Sequence, residues 1–203
     1  MPLITPPYSS WTHKLARVFV RPMLGGPITP NHLTTARLVS GLAACGAFAV
    51  GDRTWDIWGG AFWIVSAFLD RADGELARLG KLTSASGHAY DFACDVAVNS
   101  LLFLGIGIGA RDGALDAWAL PLGIVAALSV AAASLLSERL ERQNDDGEKA
   151  YAGVLGFDFD DVLYLFGPFA WLGWLTPVLI GAVMVSPVLA LWTWRRTARR
   201  GPA

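Results

Sequence analysis

Charge is scarce in this chain. Of its 203 residues, 16% are Asp, Glu, Lys or Arg, against about 25% in a soluble globular domain. So few ionic groups cover a water-facing surface poorly. The 54% of hydrophobic residues and the mean hydropathy of +0.44 shift the reading towards a chain solvated by lipid. Cysteine is nearly absent: Cys45 and Cys94 both sit in apolar helical patterns, so neither a disulfide framework nor a thiolate metal motif can be argued. A net charge of −1 lacks the basic excess of a nucleic-acid binder, so no nucleic-acid partner is expected. The N-terminal stretch also lacks the compact apolar core of a cleavable signal peptide.

What the chain has instead is a series of apolar runs divided by short polar breaks. The pattern predicts an all-α integral membrane protein forming one domain over 1–203. Six transmembrane helices are expected at about 33–50, 57–78, 87–109, 117–137, 158–175 and 178–194, behind an amphipathic juxtamembrane helix over 8–23. In that first helix Tyr8, Trp11, Leu15, Val18 and Phe19 share one face, and Lys14, Arg17 and Arg21 another. This suits a helix lying at the headgroups of an anionic leaflet. A crossing needs about 20 apolar residues, so the run from Leu38 to Val50 must borrow Leu33 to Arg37. Arg37 then falls near the end of the span, with Thr29 or Asn31 as its cap. The polar segment 138–150 reads as a loop or helical extension outside the bilayer, and Thr176-Pro177 as the turn between the last two spans. Trp192 and Trp194, followed by Arg195 and Arg196, suit an interfacial belt. With both termini cytoplasmic, every Lys and Arg except Arg53 and Arg111 falls on the inner side. The positive-inside rule therefore places the termini and the loop 79–86 on the cytoplasmic face of the cell (inner) membrane.

Four carboxylates interrupt the apolar pattern. Asp70, Asp73, Gly74 and Ala77 recur at i, i+3, i+4 and i+7, on one face of a helix, and Gly87, Asp91 and Asp95 at i, i+4 and i+8 on the next. Intramembrane charge marks function by default. Four aspartates on facing helices repel unless cations sit among them, and hard, oxygen-seeking ions such as Mg²⁺ fit that donor set. Three carboxylates can hold two Mg²⁺ ions that bridge phosphate oxygens, and a fourth can take a proton from an attacking hydroxyl. Arg78 can grip the same phosphates with its planar fork, while Gly74 and Gly87 let a nucleotide approach the backbone. The expected substrate is a diphosphate reached from the cytoplasm, with acceptor or product in the membrane. Two competing readings fare worse. A structural polar network leaves four aspartates facing one nearby arginine. A cation transporter would want its carboxylates at the midplane, on broken helices and inverted repeats that are missing here.

The string Asp70-x2-Asp73-Gly74-x2-Ala77-Arg78-x8-Gly87-x3-Asp91-x3-Asp95 resembles, at every specified position, the motif of the CDP-alcohol phosphotransferases. Pro30-Asn31-His32-Leu33-Thr34-Thr35-Ala36-Arg37 is likewise similar to that family's lead-in to its first span. The resemblance implies displacement of CMP from a CDP-alcohol, most often CDP-diacylglycerol, by a second alcohol in phospholipid biosynthesis. It implies Mg²⁺ (two ions, Mn²⁺ able to substitute) held by Asp70, Asp73 and Asp91, with Asp95 as general base that also touches metal. Asp70, Asp73, Gly74, Ala77, Arg78 and Gly87, with Asn31 and Thr34 as neighbours, would form the CDP/CMP site. Family members are commonly homodimers. His88, Tyr90 and Phe92 depart from the usual small, aliphatic or serine residues. For His88 a buried, hydrogen-bonded side chain is expected, with substrate contact as the alternative. The acceptor is read as glycerol 3-phosphate or an inositol-type polyol, met by Arg37, His88, Arg139 and Arg142, with Lys149 as a further cation. A soluble CDP-alcohol of the choline or ethanolamine type with a diacylglycerol acceptor is the alternative. Asp158, Asp160 and Asp161 are expected to cap the fifth helix.

Overall fold

Helix limits follow the caps and breaks of the sequence. The structure, a computed structural model, describes residues 4–5, 10–142, 153–154 and 159–199. Expectations that rest on Tyr8, Lys149, Asp158, Arg200 and the side chain of Asp160 lie outside the described residues. The helices are α1 (Trp11–Val20), α2 (Pro30–Val50), α3 (Arg53–Leu79), α4 (Ala85–Gly109), α5 (Ala119–Arg142), α6 (Phe166–Trp171) and α7 (Leu175–Arg199). Three of them start on side-chain caps. Thr29 N–H donates to His32 Nδ1 at 3.2 Å in a capping box at α2. Asp52 Oδ1 accepts Thr54 N–H at 2.9 Å ahead of α3, and Ser84 Oγ accepts Gly87 N–H at 3.0 Å ahead of α4. Each partner satisfies a donor that a bare helix start would leave orphaned. Residues 138–142 prove to be a helical extension of α5. Ile4–Thr5 pairs antiparallel with Gly153–Val154, and the described fold is otherwise helical.

Four of these segments are long and apolar enough to cross a membrane: Pro30–Val50, Ala85–Asp112, Asp116–Arg142 and Leu175–Arg199. Helix α3 is longer than α2 but carries the charged motif. The segment expected as the fifth span is not one helix. It is a 3₁₀ turn run over Phe159–Leu165 followed by the six residues of α6, about 23 Å at ideal rises. The turn after it falls at 172–174, on Gly173 with φ +76°, rather than at Thr176-Pro177. Pro177 instead occupies the first turn of α7, where a missing N–H costs nothing. Arg53, the first residue of α3, closes the end of α6: its Nη1 donates to the Ala170 carbonyl at 2.6 Å and its Nη2 to that of Trp171. A cation is favoured at such a C-terminus.

The core lies among α2, α3, α4 and α7, where Phe48, Trp63, Val98, Leu102, Ile106 and Leu179 are all buried. Helices α4 and α5 touch backbone to backbone: a Cβ on Gly107 would lie 2.8 Å from Gly123 Cα. Such small-residue contacts join helices in lipid, where close packing replaces hydrophobic collapse. Leu128, Met184 and Val188 point outward at 67%, 68% and 64% exposure, an apolar exterior that water would penalise. A second, smaller cluster of Val20, Leu33, Ala72 and Leu76 docks α1 on α2 and α3. Trp11, Leu15 and Val18 remain exposed on α1, while Thr12, His13, Ala16 and Val20 are buried. The helix therefore has a third, protein-facing side beyond the aromatic and basic ones.

Candidate active site

Helices α3 and α4 bring three of the four motif carboxylates together. Asp70, Asp91 and Asp95 each place an oxygen within 4.8 Å of the others. Helix α2 supplies a cation to this group. Arg37 is 3% exposed, its Nε lies 3.0 Å from Asp70 Oδ1, and its Nη2 pairs with Asp95 Oδ1. Arg37 is thus not an end-of-span anchor; it sits two turns into α2, at the level of the aspartates that neutralise it. Asp73 stands apart from the trio, with Oδ2 accepting Thr34 Oγ1 at 2.6 Å. Asp91 Oδ1 is buried without a hydrogen-bond partner among the described residues. An orphaned carboxylate oxygen beside two more, with one guanidinium among them, is a donor set that suits a hard divalent cation.

Beside the trio opens a cleft of about 170 Å³. Asn31, Thr34, Asp73, Gly74, Ala77, Arg78, Gly87 and Asp91 line it, so all of the residues expected at the nucleotide except Asp70 form one wall. A Cβ on Gly74 would come 3.2 Å from Arg78 Nη1 and 3.3 Å from Nη2, so the bare glycine lets the guanidinium lie against α3. A Cβ on Gly87 would press Ser84 Oγ at 2.9 Å and disturb the α4 cap. His88 also lines the cleft. It is not buried as expected: its side chain is 60% exposed, with Nε2 3.0 Å from Glu138 Oε1, because the first turn of α4 opens onto the cleft mouth. The same Glu138 oxygen accepts Arg142 Nε at 2.8 Å. Neither Arg142 nor the exposed Arg139 lines the cleft among the described residues.

Sequence reasoning missed a second polar group, on the neighbouring face of α3. Glu75 Oε1 lies 2.8 Å from His13 Nδ1 and accepts Arg78 Nη2 at 2.9 Å, and its Oε2 accepts Arg17 Nε at 2.9 Å. Arg71 donates to His13 Nε2 at 3.1 Å and pairs with Asp161 Oδ1 at 3.4 Å; Thr12 Oγ1 donates to the same oxygen at 2.7 Å. Asp161 is therefore no helix cap but the partner of a buried arginine, which an unpaired guanidinium at that depth requires. Arginine has only donors, so His13 Nε2 must accept and the ring proton sits on Nδ1, directed at Glu75. Burial, aided by the Arg71 charge, holds the His13 pKa below its ordinary value. The signal was present in the spacing of Arg71, Glu75 and Arg78, at i, i+4 and i+7 along α3.

A membrane-type helical bundle with a carboxylate trio beside a glycine-walled cleft that holds an arginine defines a class of site built for phosphate chemistry. Comparison with known proteins makes the class specific. The family model of CDP-alcohol phosphatidyltransferase matches residues 27–192; the chain belongs to that family and is a transferase of substituted phosphate groups. Among curated proteins none matches the chain. Among solved structures it is similar to the phosphatidylinositol phosphate synthase PgsA1 of Mycobacterium tuberculosis with CDP-DAG bound, at TM-score 0.59 and 19% identity over 94% of this chain and 91% of that one. The same synthase in complex with manganese and citrate matches at TM-score 0.59 and 19% identity, over 93% and 86%. At this identity the likeness is one of fold.

Proposed function

We propose that the protein moves the substituted phosphoryl group of a CDP-alcohol, CDP-diacylglycerol first among them, to the hydroxyl of a second alcohol and releases CMP. The observation that carries this reading is the carboxylate trio of Asp70, Asp91 and Asp95 set against a cleft walled by Asp73, Gly74, Ala77, Arg78 and Gly87. Asp70, Asp73, Asp91 and Asp95 are the residues that would hold Mg²⁺. Two such ions, or Mn²⁺ in their place, would neutralise the diphosphate oxygens in an in-line displacement. Asp95 takes the proton of the acceptor hydroxyl. The new bond joins the acceptor oxygen to the phosphorus nearer the lipid, and the bond to the bridging oxygen breaks, which leaves with CMP. Arg78 binds phosphate oxygens, Gly74, Ala77, Gly87 and Asn31 make room for the nucleotide, and Thr34 orients Asp73. Arg37 holds Asp70 and Asp95 in register. His88 is the first candidate to meet the acceptor, read as glycerol 3-phosphate or an inositol-type polyol, because it reaches the cleft where Arg139 and Arg142 do not.

The chain is proposed to act as one membrane domain over 1–203, paired as a homodimer in the cell (inner) membrane with its site and termini on the cytoplasmic side. Helix α3 and the segment 159–171 would complete six crossings, and α1 would lie at the headgroups with Trp11, Leu15 and Val18 towards lipid. Purified protein with Mg²⁺ or Mn²⁺, radiolabelled CDP-diacylglycerol and a panel of alcohols should release CMP with one acceptor above all others. Silence from every donor and acceptor pair, CDP-choline with diacylglycerol included, would sink the reading.

A further inference from the structure

Glu75 follows Gly74 at one of the unspecified positions of the motif, and its side chain is 2% exposed. A carboxylate so deep persists only where charge or donors hold it. His13 and Arg17 would suffice to tie α1 to α3, and Thr12 and Arg71 on Asp161 supply a further brace. The bond from Arg78 Nη2 to Glu75 Oε1 at 2.9 Å serves neither tie, since both residues belong to α3. What that bond fixes is the direction of the Arg78 fork, which lies over Gly74 at the wall of the cleft.

We propose that Glu75 is a positioning residue: it holds the Arg78 guanidinium in the nucleotide cleft and is itself oriented by Arg17 and His13 of α1. The proposal rests on the reading above that the cleft takes CMP. An arginine left to itself samples many rotamers, and ordering it before the ligand arrives removes that cost from binding. The i, i+3 spacing on one helix gives the pair its geometry, and the charge on both partners its strength. Helix α1, although outside the motif, then becomes part of the substrate site.

CMP binding to the full-length protein in detergent with Mn²⁺, read alongside the thermal midpoint, tests this. Glu75→Gln should raise the CMP Kd about tenfold, the scale of one hydrogen bond to a charged group. It should raise KM for the CDP donor more than it lowers kcat. In an Arg78→Ala background the same change should shift Kd less than about twofold, because the two residues act as a unit. Arg17→Gln, at a partly exposed position, should raise Kd about threefold by the same reasoning. A Glu75→Gln protein with a lower midpoint but unchanged Kd, or with the same factor in both backgrounds, overturns the proposal and leaves the reading intact. If Glu75→Gln does not fold, an unchanged Kd in Arg17→Gln overturns it equally. Failure of the wild type to bind CMP overturns the reading beneath it, and the proposal with it.

Discussion

Two polar groups, one buried and one half-buried, share α3 on adjacent faces, and their charges close differently. Around Glu75 and Asp161 stand Arg17, Arg71 and Arg78, with His13 linking Arg71 to Glu75 and Thr12 donating to Asp161. On the other face Asp70, Asp91 and Asp95, with Asp73 a turn away, meet Arg37 among the described residues, and Asp91 Oδ1 has no partner. The Glu75 group lies deeper, since the side chains of Asp70 and Asp95 keep 25% and 35% exposure against 2% for Glu75, but depth does not decide what each group can do. Balance does. Each carboxylate of the Glu75 group meets a guanidinium and the group can serve as a brace, whereas the Asp70 group carries, among the described residues, an excess of negative charge that added cations would relieve. The largest expected effect follows from this. Asp95→Asn should lower CMP release by about 10²–10⁴-fold, the usual worth of a positioned base, while the thermal midpoint holds or rises as repulsion is relieved. A midpoint several degrees lower in that variant would erase the distinction.

The brace should answer in the opposite way. Asp161→Asn removes the carboxylate that faces buried Arg71 and accepts Thr12, and taking the opposite charge from a buried guanidinium should cost about 3–5 kcal/mol of stability. Chemical denaturation of the variant reads this, with CMP release per folded molecule changing little. Stability equal to the wild type would mean that the Arg71 pair carries no weight. Beside the trio stands Thr34 of α2, whose hydroxyl donates to Asp73 Oδ2 at 2.6 Å. Thr34→Val keeps the shape and loses the bond, so CMP release should fall about tenfold with little change in midpoint. Full activity in Thr34→Val would show that Asp73 needs no support from α2.

How far the site could be read in advance depended on whether one helix or two decided it. Helical spacing alone put Asp70 with Asp73 on one face of α3 and Asp91 with Asp95 on one face of α4; Asp70, Asp91 and Asp95 meet, while Asp73 turns to Thr34 of α2. The cap at Thr29 likewise followed from local chemistry, while those at Asp52 and Ser84 lay in stretches read only as polar turn and loop. Arg37 did not, because a sequence sets a residue's depth along α2 but not the direction in which α2 turns it towards α3 and α4. Glu75 meets Arg17 and His13 across 58 and 62 residues of chain, and only the docking of α1 brings them together. In α1 the aromatic and basic faces were plain from periodicity, while the third face of Thr12, His13, Ala16 and Val20 was hidden between them. The broken segment 159–175 escaped for another reason: average hydropathy does not register a 3₁₀ run or a left-handed turn at Gly173.

The smallest expected effect concerns the proton within the brace. His13 accepts from Arg71 at Nε2 and directs Nδ1 at Glu75, so the folded protein holds it neutral, and burial with the Arg71 charge keeps its pKa below the ordinary value. Glu75 pulls the other way, and Arg78 adds to Arg71. A histidine whose folded pKa is depressed binds fewer protons than the unfolded chain as pH falls past about 6.5. Stability from this group is therefore full above that pH and is lost as the pH drops towards the lower folded value. The thermal midpoint should decline between about pH 7 and pH 5 more steeply in the wild type than in His13→Gln, whose amide does not titrate. Parallel profiles would mean that His13 carries its proton in the folded state as readily as in the unfolded one, and the brace would then be held by Arg17 and Arg71 alone.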